Sequence, residues 1–227
     1  MPAHATGLRS LNTLLRTLAP GLAVVLALAL SSGAAQAGAQ QYEPLAASVR
    51  AALHEAVSDA VAPTLPISDA SERSLWLAEM SRRLQKRIPD ANYRNALLTS
   101  IHYEATRAGL DPQLVLGLIQ VESNFRKYAI SSASARGYMQ VMPFWLKVMN
   151  RPDDNLFHLR TNLRYGCTIL RHYLDIEKGD LFRALGRYNG SLGKAEYPNL
   201  VRAAWEQHWS WRPQQVASAS LAERPSN

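Results

Sequence analysis

The sequence predicts a mainly α-helical protein, and three observations carry that expectation. Apolar residues recur at three- and four-residue intervals in segment after segment. Aspartates stand where such segments begin, at Asp90, Asp111 and Asp180, as helix N-caps do. Breakers close the segments: Pro63 and Pro66, Gly109, and Asn189-Gly190.

In chain order, residues 1–37 read as a secretory signal peptide. Arg9 and Arg16 precede an apolar run from Gly21 to Leu30, and Ala35-Gln36-Ala37 offers a small-x-small cleavage site. The run is too short to span a bilayer. An uncleaved anchor is the alternative reading, because the region before the run is long. No cysteine lies there to accept a lipid, so export to a soluble state is expected, with no membrane span once the signal is removed.

Cleavage leaves 190 residues, enough for one domain with a proper core. Both arginines and no acid are lost, so the net charge falls from +7 to +5. That mild basicity suits an anionic polymer, although basic surfaces also occur without one. No basic run, zinc spacing or recognition motif accompanies it, which disfavours nucleic acid. Cys167 is the only cysteine and forms no intrachain disulfide; among Leu163, Tyr165, Ile169 and Leu170 it reads as a small buried residue.

Residues 38–68 form an N-terminal extension, a helical arm followed by a proline-containing linker. Leu45, Val49, Leu53, Val57 and Val61 recur every four residues between Glu43 and Ala62, giving a helix that is either a brace or a loose arm. His54 and Glu55 lack a second histidine at ligand spacing, so no metal is expected. Ser71 to Arg87 is a helix with Leu75, Trp76, Met80 and Leu84 inward and Arg82, Arg83, Lys86 and Arg87 mostly on a solvated face. Pro89 and Asp90 start another, with Tyr93, Leu97, Leu98, Ile101 and Ala105 on one side. Gly109 suits the left-handed position after it.

Asp111 to Pro143 is the organising stretch. Asp111 caps, Pro112 takes the first helical position, and Leu114, Val115, Leu118, Ile119 and Val121 predict a buried helix that closes on Glu122. The negative end of the helix dipole and burial both disfavour charge there, so Glu122 is expected to hold its proton toward neutral pH. Such an acid can donate to a glycosidic oxygen. A polar loop without strand alternation runs from Asn124 to Arg136. Gly137 then opens GYMQVMP, and Pro143 starts a short helix with Phe144, Trp145 and Val148. Helices are expected over 161–173, 181–188 and about 198–209. Trp205, Trp209 and Trp211 either pack on the core or stack against rings. Residues 212–227 form a small, polar, disordered tail.

Glu122-Ser123, GYMQVMP, NLRYG around Asn162 and RYN around Tyr188 occur together in one order and spacing. In these blocks the chain resembles the soluble lytic transglycosylase domain family over roughly residues 75 to 205. The resemblance implies a lysozyme-like multi-helix catalytic domain over 69–211, with a small irregular or β-like flap over a groove. It implies cleavage of peptidoglycan between N-acetylmuramic acid and N-acetylglucosamine without water, leaving 1,6-anhydro ends, in the periplasm of a Gram-negative envelope and without a cofactor. Glu122 would be the catalytic acid and then the base toward the sugar's own 6-hydroxyl. Ser131 would stand near the carboxyl, and Tyr188 and Asn189 match the family's Tyr-Asn pair. The Tyr188 hydroxyl could hydrogen-bond either the acid or a substrate acetamido group. From the residues themselves, Gln140 offers a donor and an acceptor to substrate, and Met142 can line a sugar subsite.

Two other readings stand beside this one. A goose-type hydrolytic muramidase would carry an acid directly after Met-Gln-Val, where this chain has Met142. A non-catalytic wall-binding scaffold would keep the fold without the activity; Glu122, Gln140 and Tyr188 together argue against it. The later acids Asp153, Asp154, Asp175, Glu177, Asp180 and Glu196 all lie in polar or cap-like contexts, which leaves no evident base for water.

Overall fold

The computed structural model describes residues 40–58 and 69–212. The expected signal peptide, the proline-containing linker and all but the first residue of the tail lie outside them. Eight α-helices follow one another among the described residues: α1 (Ala47–Ser58), α2 (Ala70–Leu84), α3 (Ala91–Arg107), α4 (Pro112–Ser123), α5 (Phe144–Val148), α6 (Leu159–Ile176), α7 (Leu181–Asn189) and α8 (Glu196–Ala204). A π-helical turn, Trp205–Trp209, completes the C-terminal element. The only β-pairing among them is a pair of isolated bridges in the loop after α4, Ile130 with Arg136 and Arg136 with Val141.

Caps explain most of the boundaries. Asp69, Asp90, Asp111 and Asp180 each accept a backbone N–H from the first turn of the helix that follows. Asp69 starts α2 one residue before the expected Ser71. α1 begins at Ala47 rather than at Glu43, because the residue before Pro44 is pushed out of the α region. α3 ends on Gly109 at φ +67°, with Leu110 N–H returning to the Ala105 carbonyl at 2.8 Å, a tight turn into α4. The last helix starts two residues earlier than expected, at Glu196, and passes into π geometry at Trp205.

α4 is the hub. Its Leu114, Val115, Leu116, Gly117, Leu118 and Ile119 are all buried, so this helix is apolar on nearly every side. It packs against α8 and the π turn on one flank and α3 on another. Gly117 permits the closest approach: a Cβ there would lie 2.8 Å from the Trp205 backbone nitrogen. The C-terminal turn is tied back to α4, with Trp209 Nε1 donating to Gln120 Oε1 at 2.8 Å. Trp209 and Trp211 are buried, so these two rings pack on the core.

α6 forms the opposite wall and packs against α1, α3 and α7. Across α3 and α6, the fully buried Glu104 carboxylate meets Arg164 at 2.8 Å and Arg107 at 3.0 Å, which keeps a charge inside the protein paired. Cys167 is buried beside it, and burial pushes its thiol well above the usual range, so it is no nucleophile. α1 is a brace. Leu53 and Val57 enter the core, and the His54 ring hydrogen-bonds the Met149 carbonyl at 2.8 Å.

Candidate active site

Glu122 is the penultimate residue of α4. It is 5% exposed, and one partner reaches it among the described residues: the Tyr197 hydroxyl donates to Oε1. Its other oxygen, Oε2, is buried and accepts nothing. Burial pushes the carboxyl up to about 8, and the Tyr197 hydrogen bond pulls the other way. No neighbouring carboxylate contributes to that shift. The arrangement is a single carboxylic acid, protonated at neutral pH, with one oxygen free to act.

Tyr197 enters from the first turn of α8 and is itself buried. Because its bond favours the carboxylate, Tyr197→Phe is expected to raise the Glu122 midpoint above about 8, read by carboxyl-carbon NMR titration. A lower midpoint would contradict this arrangement.

The flap, residues 124–143, follows directly on α4. Asn124 and Phe125 both take left-handed backbone, φ +47° and +61°, and turn the chain out of α4. Ser123 Oγ donates to the Tyr138 carbonyl at 2.8 Å and so pins the flap to the end of α4. From the other wall, Asn162 on α6 makes three bonds: Oδ1 accepts Met139 N–H, and Nδ2 donates to the Arg136 and Leu156 carbonyls, each at 2.8 Å. The flap also needs two glycines. A Cβ on Gly137, whose φ is +76°, would lie 2.4 Å from Asn162 Nδ2, and one on Gly166 would lie 2.3 Å from Met139 Sδ.

The expected site residues fall into different places. Ser131 does not bond Glu122; its Oγ accepts Ala135 N–H at 3.1 Å within the flap. Gln140 is 2% exposed, and Nε2 donates to the Ala129 and Gly137 carbonyls at 3.1 and 2.9 Å, so its donors are spent on holding the loop. Tyr188 is fully buried. Its hydroxyl donates to the Met139 carbonyl at 2.7 Å rather than to Glu122, although the carboxyl lies near enough to raise the phenol further. Asn189 gives Nδ2 to Ser191 Oγ at 3.0 Å and keeps a buried, unpaired Oδ1. Met142 is half-buried where the flap enters α5. The tyrosine on the acid is Tyr197, which the sequence reading missed. A tyrosine opening a C-terminal helix, beside a proline and eight residues beyond Asn189, was the only available signal.

Four of the six later acids are engaged elsewhere. Asp154 accepts from Arg151 and Tyr165, Asp175 pairs with Arg171, and Glu177 holds both Arg183 and Arg187. Asp180 caps α7.

Comparison with known proteins adds an independent line. Residues 99–204 match the family model described as "Transglycosylase SLT domain". The chain is similar to "Membrane-bound lytic murein transglycosylase C" of Histophilus somni (strain 2336), 38% identical over 112 residues that cover 42% of this chain and 31% of the relative. It is similar to "Transglycosylase" of Enterobacteria phage PRD1, 35% identical over 88 residues, 39% of this chain and 32% of the relative. A shorter stretch of 46 residues is 52% identical to "Membrane-bound lytic murein transglycosylase C" of Haemophilus influenzae (strain PittEE), covering 20% of this chain and 13% of the relative. The chain thus spans 31% and 32% of the length of the first two relatives. No solved structure matches it significantly. Residues 99–204, the segment that carries Glu122, the flap, Tyr188 and Tyr197, are thus similar to the transglycosylase SLT domain family.

Proposed function

We propose that this protein is a lytic transglycosylase that cleaves the β-1,4 bond between N-acetylmuramic acid and N-acetylglucosamine in peptidoglycan glycan strands. The observation that carries the reading is the lone acid. Glu122 is buried, is protonated at neutral pH, has one free oxygen, and has no second carboxylate acting on it. A hydrolase of the two-carboxylate kind needs that second group, either to activate water or to attack the sugar. Here the substrate supplies both nucleophiles. Glu122 gives its proton to the leaving oxygen while the acetamido oxygen of the muramic acid attacks C1. The ionised Glu122 then takes the proton of the 6-hydroxyl, whose oxygen closes on C1 and displaces the acetamido group. One acid serves both steps, and the proton that leaves in the first returns in the second.

The other residues hold this geometry. Tyr197 fixes the Glu122 rotamer and stabilises the carboxylate formed between the two steps, while Tyr188, Gln140 and Ser131 hold the flap through their bonds to loop backbone. Met142 and the unpaired Asn189 Oδ1 face substrate. Purified sacculi digested with the protein are expected to release muropeptides lighter by one water than hydrolysed ones and inert to borohydride. Reducing muramic acid ends would favour the muramidase instead.

The same reading places the protein in the periplasm, with 1–37 removed, 38–68 as an extension braced on the catalytic domain 69–211, and 212–227 as a tail. Its motive is the Ala35-Gln36-Ala37 site. Among the described residues no helix is long and apolar enough to cross a membrane. Intact mass of the fractionated protein is expected to begin at Gly38. A species that keeps Met1 in the membrane fraction would make residues 1–37 an anchor.

A further inference from the structure

α2 runs out in a series of cations, Arg82, Arg83, Lys86 and Arg87. The negative pole of the helix and Glu79 account for the first two, since Arg82 and Arg83 both hold Glu79, at 2.8 and 2.6 Å. Arg87 lies beyond the last turn, where neither reason applies, and it is exposed. It is held across the fold instead, its Nε donating to Asn124 Oδ1 at 2.8 Å. Arg83 is tied down as well, with Nη1 donating to the carbonyls of His208 and Ser210 at 2.9 and 3.0 Å. Arg82, Arg83 and Arg87 line an open cleft of about 420 Å³ against residues 207–210, within the roughly 300–1,000 Å³ of ligand sites. Among the described residues no carboxylate lines it.

These guanidinium groups are fixed before any ligand arrives, so little of their side-chain freedom is left to lose on binding. Arg87 is bound through Nε alone, and its two Nη groups have no partner among the described residues. They form the end-on fork that takes a carboxylate through two parallel hydrogen bonds. The peptide stems of peptidoglycan offer such groups: each hangs from a muramic acid and carries carboxylates in excess of amines. The cleft also sits at the end of α4 that carries the acid. Arg87 reaches Asn124, two residues after Glu122, and Trp209 in the cleft reaches Gln120, two residues before it. Gln120 and Asn124 are one turn apart and share a flank that Glu122 does not. An α-helix is about 10–12 Å across, and three extended residues reach roughly 10 Å. A stem on a strand held at Glu122 can therefore pass round the helix end to Arg87.

We propose that this cleft is a second binding site, separate from Glu122, for the carboxylates of a peptidoglycan peptide stem, with Arg87 as the residue that grips them and Arg82 and Arg83 as supporting cations. The assignment rests on the glycan reading above and adds what else of the polymer the protein recognises. Strands that still bear peptides are held more tightly than bare ones.

Calorimetry of Glu122→Gln protein with the free stem tripeptide L-alanyl-γ-D-glutamyl-meso-diaminopimelate tests it, with the neutral N-acetylglucosamine tetramer as the peptide-free ligand. Adding Arg87→Gln is expected to weaken the tripeptide about five- to twentyfold, the loss of a partly exposed charged fork, and to leave the tetramer and the thermal midpoint unchanged. Arg82→Gln, at a side chain that bonds only Glu79, should weaken the tripeptide about two- to fivefold and guards against an effect passed on through Asn124. No binding of the tripeptide, or equal affinity in the arginine variants, would overturn the proposal. So would an equal loss on the tetramer, which would mean that Arg87 acts by holding the flap. Vesicles of anionic phospholipid supply the competing source of negative charge. Binding to them through Arg87, with none to the tripeptide, would make the cleft a membrane-docking face instead. Failure of the wild type to leave 1,6-anhydro ends on sacculi would sink the transglycosylase reading, while the tripeptide result would still decide the cleft.

Discussion

Glu122→Gln is expected to lower glycan cleavage by at least about a thousandfold, the scale of a lost general acid and base, while keeping helicity and fold. The swap preserves shape and the bond from Tyr197 but removes the titratable proton. It also has a signature in stability. The Glu122 carboxyl is raised from 4.5 to about 8 by burial, so between those values the unfolded chain has lost a proton that the folded chain keeps. The stabilisation carried by that proton is complete below pH 4.5 and is lost as pH rises toward 8, with a slope of up to about 1.4 kcal/mol per pH unit. A glutamine has no such dependence. The variant should therefore match the wild type near pH 4.5 and grow more stable than it toward pH 8, as denaturant melts at several pH values would read. A constant difference across that range would mean that Glu122 is ionised in the folded protein.

Asn162→Ala is expected to cost about 3–4 kcal/mol of stability and most of the activity. Its side chain holds the Met139 N–H and the carbonyls of Arg136 and Leu156, and it is only 1% exposed. Removing it leaves up to three backbone groups unpaired inside the protein, each penalised by about 1–3 kcal/mol before relaxation or water entry. The Met139 carbonyl is where Tyr188 is anchored, so a flap released at Met139 N–H also frees Tyr188. Urea melts and turnover on sacculi measure both effects. A loss below about 1 kcal/mol would mean that the flap is held by Ser123 and packing instead.

How legible these features were depends on whether their causes are local. Helices were readable because their causes sit in the same stretch: the Asp111 cap, Pro112 at the first position and the apolar run to Ile119 specify α4 without help from elsewhere. Glu122 was readable for the same reason, as an acid at the end of a buried helix. Partners across the fold were not. Tyr197 is 75 residues from Glu122, and nothing local marks a tyrosine that donates to an acid. Gln140 and Ser131 read in the sequence as groups facing substrate or acid, because a sequence lists the polar atoms of a loop without saying which are consumed by the loop's own backbone. Asn162 stood in a block that resemblance alone singled out. Gln40, in the extension, accepts from Trp145 across 105 residues.

The central claim is that one acid, with no second carboxylate, cleaves the glycan by recycling a proton and without water. Digestion of purified sacculi in ¹⁸O-labelled water, followed by mass spectrometry of the muramic acid ends, tests it most directly. The account predicts unlabelled, 1,6-anhydro ends that borohydride does not reduce. Ends that are mostly labelled and reducible would contradict it, because only attack by water on C1 can place the isotope there.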